Sequence, residues 1–175
     1  MSAVRTEVGS VLDQLELRQP KMVLTVDGYQ LPVTNLDKVL WPGGGRSKPL
    51  TKRDLLRYLA RVSRWLLPHL ASRPIFTTRY PDGVNGKSFY QKHWEKPPEY
   101  ARTVRIYSSH NEGDGEYLIC DNLPTLLFLA QMGGLDRSDA IGTGANRTGG
   151  IQPVRATRGP TARLSRLDAP IRRHS

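Results

Sequence analysis

Two short segments carry residues whose types and spacing suit the binding of an anion. In the first, the Asn35 amide is placed to begin a short helix over 35–41, and Lys38 follows one turn later. In the second, Thr51 begins a longer predicted helix with Lys52 in its first turn. Free backbone N–H groups at a helix start attract anions, and a lysine there opposes the helix dipole unless an anion is bound. The pattern predicts one phosphate between the two starts; an ordinary cap beside a solvated lysine is the alternative.

A second basic segment carries neighbouring aromatic residues. Phe89 and Tyr90 are adjacent on a predicted strand, so their side chains point to opposite faces and at most one belongs in the core. We expect the other ring to be exposed beside the cations Arg79, Lys87 and Lys92. Exposed rings beside cations stack on unpaired bases. The alternative is that both rings pack within the protein.

Residues typical of catalysis are sparse. Metal-ligand spacing is absent around the four histidines, His69, His93, His110 and His174. Two-metal phosphoryl transfer needs several converging carboxylates, and no such set is formed by the three acids after residue 135, Asp136, Asp139 and Asp168. The sequence therefore predicts no catalytic residue, no metal site and no cofactor.

Caps, turns and alternating apolar residues predict an α+β fold. A hairpin over 22–33 turns at Asp27-Gly28. Thr51 and Asp54 form a capping box for a helix that ends near Leu67. The predicted apolar face of this helix consists of Leu55, Leu56, Tyr58, Leu59, Val62, Trp65 and Leu66.

Further elements follow along the chain. Two strands are predicted over 75–80 and 87–93, a hairpin over 102–107 and 116–121, and a helix over 123–132 that Asn122 caps. Hairpins mixed with helices are typical of the α+β class.

Charge and cysteine content limit the class of protein. The net charge of +10 favours a polyanionic partner, without separating nucleic acid from an acidic membrane surface. Cys120 is the single cysteine, which excludes an intramolecular disulfide and favours a reducing compartment. No apolar run is long enough to span a membrane.

The two ends of the chain differ from its middle. Residues 136–175 lack aromatic residues and hold eight arginines against three acids, a composition that predicts a disordered Arg/Gly/Pro-rich tail. Residues 1–20 read as a flexible leader with at most a short helix within 10–18. The predicted domain therefore covers residues 21–135.

Five motifs occur in an order and spacing that identify a family. They are TNLDKVLWP (34–42), TKRDL (51–55), LPHLASRP (67–74), RYPDGVNGKSFYQK (79–92) and YLICDNL (117–123). Through them, residues 22–135 resemble the N-terminal half of the polymerase domain of bacterial DNA ligase D, a primase-polymerase of non-homologous end joining.

The resemblance implies a fold and a set of site residues. The fold is the N-terminal lobe of an archaeo-eukaryotic primase-like polymerase. The residues that hold the 5′-phosphate of a DNA end are Asn35, Lys38 and Lys52. Those that stack on bases are Phe89 and Tyr90, with Arg79 nearby in the DNA channel. Thr78 stands where the family usually has a second basic residue.

The family pattern breaks after residue 135. Relatives continue with a catalytic histidine and an Asp-x-Asp strand for two divalent metals, and use manganese or magnesium with nucleoside triphosphates. Here Ser138 stands at the histidine position and no Asp-x-Asp follows. We therefore expect a truncation before the catalytic motif, by a shifted reading frame or as a gene remnant.

Several functions remain open from the sequence. The leading one is a module that binds the 5′-phosphate of DNA ends, in gapped or broken duplex, without adding nucleotides unaided. Its expected partners are a ligase and an end-bridging protein, in the bacterial cytoplasm at the nucleoid and away from membranes. One alternative is an active nucleotidyltransferase, with a metal site rebuilt by Asp136, Asp139 and Asp168 or with the missing half supplied by a separate chain. The others are an unstable gene remnant and a polyanion binder that acts through the arginine-rich tail.

Overall fold

The computed structural model describes residues 2–71, 73–91, 94–108 and 113–136. Within these residues the chain forms three helices and ten strands, and the strands pair antiparallel in four small sheets. The predicted α+β class is confirmed. The helices are α1 (Ser2–Glu16), α2 (Lys52–Leu70) and α3 (Leu123–Gln131). The strands are β1 (Met22–Val26), β2 (Tyr29–Val33), β3 (Val39–Trp41), β4 (Leu50–Thr51), β5 (Pro74–Ile75), β6 (Thr77–Arg79), β7 (Phe89–Gln91), β8 (Arg102–Ser108), β9 (Gly113–Ile119) and β10 (Gly134–Asp136).

The predicted first hairpin is confirmed. Strands β1 and β2 pair in register around Asp27 and Gly28, whose φ angles of +49° and +81° fit the tight turn that joins twisted strands. Alternate residues of the hairpin are fully buried, among them Leu24 and Leu31. They pack in one core with residues of all three helices.

Helix α2 begins as predicted. Thr51 is its N-cap, and the Thr51 side chain and Asp54 exchange both bonds of the capping box. The helix continues to Leu70, beyond the expected end near Leu67, although Pro68 lies within its last turn.

The predicted apolar face of α2 is wrong at two aromatic positions. Tyr58 is 56% exposed and Trp65 is 57% exposed. The buried face instead centres on Leu56 and on small residues, Ala60 and Ser63, where α3 packs against the helix. Trp65 follows Leu56 by about two and a half helical turns, and so lies on the opposite side.

The expected flexible leader is contradicted, because residues 2–16 form helix α1. Val11 and Leu15 are completely buried in the core. The buried Arg53 guanidinium holds the end of the helix by donating to the main-chain oxygens of Leu15, Leu17 and Gln19 at 2.7–3.0 Å. Carbonyls at a helix end have no partner within the helix, and Arg53 supplies donors for them.

The short helix expected over 35–41 is also wrong. The chain makes a turn after Asn35, whose φ is +55°, and then enters β3, which pairs with β4. This turn caps helix α2: the main-chain oxygens of Leu36 and Lys38 accept hydrogen bonds from the N–H groups of Arg53 and Lys52. The first N–H groups of α2 are therefore already used, and the expected anion site on free helix-start N–H groups is not formed.

The remaining elements follow the predictions with one change. The strand expected over 75–80 is split: β5 pairs with β9, whereas β6 pairs with β7 and β10. The hairpin of β8 and β9 and the helix α3, capped by Asn122, are confirmed. The predicted tail lies outside the described residues, apart from the backbone of Asp136 at the end of β10.

Helix α3 is central to the fold because it contributes to two apolar clusters. Leu127 packs in the core with the first hairpin and α1. Leu126 and Leu129 pack in a second cluster with Ile75 of β5 and Leu118 of β9. No helix in the described part of the chain is long and apolar enough to cross a membrane.

Candidate nucleic-acid interface

The structure brings Lys38 and Lys52 together, as the sequence predicts. Lys38 ends the turn before β3, and its main-chain oxygen accepts the N–H of Lys52 at 2.9 Å. The Lys52 side chain is buried and its Nζ donates to the oxygen of Gln131 at 3.0 Å, at the last turn of α3. A cation is favourable there because helix carbonyls concentrate negative potential at the C-terminal end.

Arg79 is bound at the same helix end. Its Nε donates to the oxygen of Met132 at 2.7 Å and its Nη1 donates to Oε1 of Gln91 at 2.7 Å. Burial lowers the pKa of Arg79 from its ordinary value. We call Lys38, Lys52 and Arg79 the cation cluster.

The cation cluster is a site of concentrated positive charge. The pKa of Lys52 is lowered by burial and, after that, by the positive charges of Lys38 and Arg79. Burial and like charges therefore make the charged form of Lys52 less favourable than that of a solvated lysine. An anion placed beside Lys52 would favour its charged form.

Asn35 is tied to the cation cluster through the backbone. Its oxygen accepts the Lys38 N–H at 3.0 Å, and its side chain is exposed. The preceding residue, Thr34, is held by the Gln131 side chain, which accepts the Thr34 N–H at 3.2 Å and donates to its hydroxyl at 3.0 Å. Gln131 therefore fixes both the Asn35 turn and, through its main-chain oxygen, Lys52.

The sequence predicts that at most one of the two adjacent aromatic residues belongs in the core, and in the structure neither does; the alternative, that both rings pack within the protein, is wrong. Phe89 and Tyr90 are each 47% exposed, on opposite faces of β7. Phe89 pairs with Arg79 across the sheet, and the Arg79 guanidinium lies 4.9 Å from its ring centroid. Tyr90 lies parallel to Phe76 with ring centroids 6.2 Å apart. Only Phe89 shares its face with Arg79.

Two further predicted cations have different outcomes. Lys87 is exposed just before β7. Lys92 lies outside the described residues, so its predicted role in the DNA channel stays a prediction.

Two residues make contacts at the site that the sequence does not indicate. Asp82 forms an ion pair with Lys38, Oδ1 to Nζ at 2.7 Å, across 44 residues of chain. Gln131 reaches Thr34 across 97 residues. Such contacts depend on tertiary packing and no local pattern indicates them.

The described residues contain no group of three histidine, cysteine, aspartate or glutamate side chains placed to hold a metal ion. Cys120 is buried, and burial together with the charge of Asp121 raises its pKa to about 12. It is therefore a neutral thiol at physiological pH.

Comparison with known proteins shows consistent similarities. A family model described as the primase-polymerase domain of LigD matches residues 51–141. The chain is 35% identical over 100 residues to the bifunctional non-homologous end joining protein LigD of Bacillus subtilis, over 57% of this chain and 15% of that protein. It is 34% identical over 109 residues to the multifunctional LigD of Mycobacterium tuberculosis, over 61% of this chain and 13% of that protein.

A solved structure shares the fold of the chain. It is the polymerase domain from Mycobacterium tuberculosis ligase D in complex with DNA, with a TM-score of 0.51 and 33% sequence identity. The similarity covers 58% of this chain and 34% of that chain. The chain thus spans about a third of that solved domain and a small part of the curated relatives.

Proposed function

Because the chain belongs to the LigD primase-polymerase domain family, we propose that it binds the ends of gapped or broken DNA by holding a terminal 5′-phosphate. The observation that carries the proposal is the cation cluster, in which burial and two neighbouring cations lower the pKa of Lys52. Lys52 and Arg79 are bound to the end of α3 and Lys38 is bound to Asp82, so the cluster exists before any ligand arrives. Asn35, exposed beside Lys38, completes the proposed phosphate site.

The fixed positions of Lys52 and Arg79 favour the binding of a single phosphate at a defined site over diffuse binding of DNA along a basic surface. Lys52 and Arg79 are held by main-chain oxygens of consecutive residues, Gln131 and Met132. Their positions are therefore fixed by the backbone, which reduces the entropy lost when a ligand orders them. Since phosphate contacts release counterions, binding should weaken steeply as salt is raised.

The aromatic residues extend the proposed site along a strand. Phe89 is exposed on the face that carries Arg79, so a base next to the bound phosphate can stack on its ring. Tyr90 lies on the other face of β7 and would contact a different part of the DNA. Lys87 and Lys92 flank these rings in sequence and would neutralise neighbouring phosphates.

We further propose that this chain holds ends without adding nucleotides unaided. The support is in the sequence, where Ser138 stands at the family's histidine position and no Asp-x-Asp follows residue 135. Nucleotidyl transfer with a second polypeptide supplying the carboxylates is the alternative. Manganese-dependent extension of a primed gap by the purified chain alone would establish catalysis and reject this part of the proposal.

The proposed cellular location and protein partners follow from the proposed ligand, a DNA end. DNA ends place the protein in the bacterial cytoplasm at the nucleoid, with a ligase and an end-bridging protein acting on the same ends. The relatives named above are end-joining proteins, which supports this setting.

Binding of matched duplexes tests the proposal. Duplexes with a 5′-phosphate or a 5′-hydroxyl are titrated by fluorescence anisotropy with the full chain and with Lys38→Gln/Lys52→Gln. We expect the wild-type chain to prefer the phosphorylated end and the double variant to lose that preference. Lys21→Gln/Arg105→Gln removes the same charge from exposed positions elsewhere, and should weaken binding to both ends equally. A preference that survives in the Lys38/Lys52 variant would reject the site.

A further inference from the structure

One carboxylate lies against the cation cluster. Oδ1 of Asp82 is 2.7 Å from Nζ of Lys38, and the Asp82 side chain is 72% exposed. Lys52 and Arg79 instead donate to uncharged oxygens. Among the ion pairs of the described residues, Asp82 is therefore the anionic partner of this cluster.

The backbone holds Asp82 in this place. Gly83, in a left-handed conformation with φ +84°, lies so close to β3 that a Cβ would meet the Leu40 oxygen at 2.9 Å. The N–H of Val84 donates to the same oxygen at 2.9 Å. A Cβ on Gly86 would lie 2.8 Å from the Asp82 Cβ. The turn thus packs against β3, the strand that follows Lys38, and this packing places the Asp82 carboxylate beside the Lys38 ammonium.

The contact resembles that of a bound anion. A carboxylate oxygen accepts from a lysine as a phosphate oxygen does, but a terminal phosphate carries nearly twice the charge. An ion pair as exposed as this one contributes little stability because water screens it. A stronger anion can therefore displace it, and the exposed Asp82 side chain is free to turn toward solvent.

We propose that Asp82 competes with DNA for Lys38. Its carboxylate pairs with the Lys38 ammonium in the free protein, and a terminal 5′-phosphate displaces it. The inference rests on the proposed function and adds a residue that sets the affinity of the site. Loss of the Asp82 charge should strengthen binding only when the DNA brings a phosphate to Lys38. A general increase in positive charge would instead strengthen binding to every DNA end.

The test is the variant Asp82→Asn in the full chain, with the two duplexes described above. Its matched control is Asp13→Asn, an exposed position on α1 that undergoes the same change of charge. We expect Asp82→Asn to tighten binding of the 5′-phosphate end by about two- to five-fold, the range of an exposed ion pair. Its effect on the 5′-hydroxyl end should equal that of Asp13→Asn.

Two results would overturn the inference. Weaker binding of the 5′-phosphate end by Asp82→Asn would mean that Asp82 positions Lys38 for its ligand. Equal tightening for both ends would mean that only overall charge matters. Failure of the proposed function is detected separately, by titrating the wild-type chain with the two duplexes. If the wild-type chain does not prefer the 5′-phosphate end, the proposed phosphate site itself is rejected.

Discussion

Lys52 and Gln131 are 79 residues apart in the sequence, and the Lys52 side chain donates a 3.0 Å hydrogen bond to the main-chain oxygen of Gln131. The Gln131 side chain in turn holds Thr34, the residue before Asn35. One residue at the end of α3 thus links the two sequence segments proposed to share a phosphate. The end of this helix therefore organises the site together with the start of α2, where the Lys38 oxygen accepts the Lys52 N–H.

The Gln131 side chain should therefore matter for binding. Gln131→Leu removes both bonds to Thr34 while the main-chain oxygen remains for Lys52. We expect the preference for a 5′-phosphate to fall several-fold, and the free energy of unfolding to fall by about 1 kcal/mol. The matched control is Gln30→Leu, which breaks a bond between a glutamine and the hydroxyl of Thr25 on the first hairpin. An unchanged preference in Gln131→Leu would show that the position of the Asn35 turn is irrelevant.

The two exposed aromatic residues should differ in effect. Phe89→Ala should weaken binding to an end with an unpaired terminal base by roughly 1–3 kcal/mol, the value of one stacked base. Tyr90→Ala, on the opposite face of β7, should change this binding less. Anisotropy with blunt and overhanging 5′-phosphorylated ends measures both. Equal losses in the two variants, whatever the end, would contradict the assignment of Phe89 to the face of the cation cluster.

Arg53 should be a determinant of stability and not of binding. Arg53→Met removes the guanidinium that donates to the main-chain oxygens of Leu15, Leu17 and Gln19, at and just after the end of α1. It also removes the ion pair with Asp37, and we expect a loss of about 2–4 kcal/mol in urea unfolding. Arg57→Met breaks only a partly exposed pair with Glu16 and should cost less than about 1 kcal/mol. Similar losses in the two variants would show that α1 is not fixed through Arg53.

The capping box predicts a pH dependence of stability. Burial alone would raise the pKa of Asp54, but the bonds from Thr51 and the charges of Arg57 and Arg53 outweigh it and lower the pKa. A lowered carboxyl pKa stabilises the fold above the unfolded-state value of about 4, and this contribution is lost as pH falls through the folded-state value. Asp54→Asn should therefore lower the Tm more at neutral pH than at about pH 3. The same decrease at both pH values would contradict the cap as the cause, and Asp13→Asn is the control.

The features that the sequence predicts correctly are those with local causes. The Asp27-Gly28 turn and the Thr51 and Asn122 caps each need only residues within one turn of chain. The sequence predicts at most a short helix within 10–18 and underestimates α1, because Val11 and Leu15 gain their burial from distant elements. The sequence predicts a helix after Asn35 where the structure has a turn, because the partners of this turn, the N–H groups of α2, become its neighbours only in the folded chain.

The candidate site shows the same division. Lys38 and Lys52 were expected together at two helix starts, and they are together for another reason, since a carbonyl of the turn caps α2. Alternation along β7 predicts that Phe89 and Tyr90 face opposite ways, but not that neither face is fully covered. The contacts of Asp82 with Lys38 and of Gln131 with Thr34 are not predicted, because long-range contacts leave no trace in local spacing.

The pKa of Lys52, followed by NMR through the side-chain carbon beside its ammonium group, tests the proposed phosphate site at the residue itself. In the free protein we expect it below the ordinary value for lysine, because of burial and the charges of Lys38 and Arg79. A duplex with a 5′-phosphate should raise it, since a nearby anion favours the charged form. A duplex with a 5′-hydroxyl should not. The same Lys52 pKa with both duplexes would contradict the binding of a terminal phosphate at this cluster.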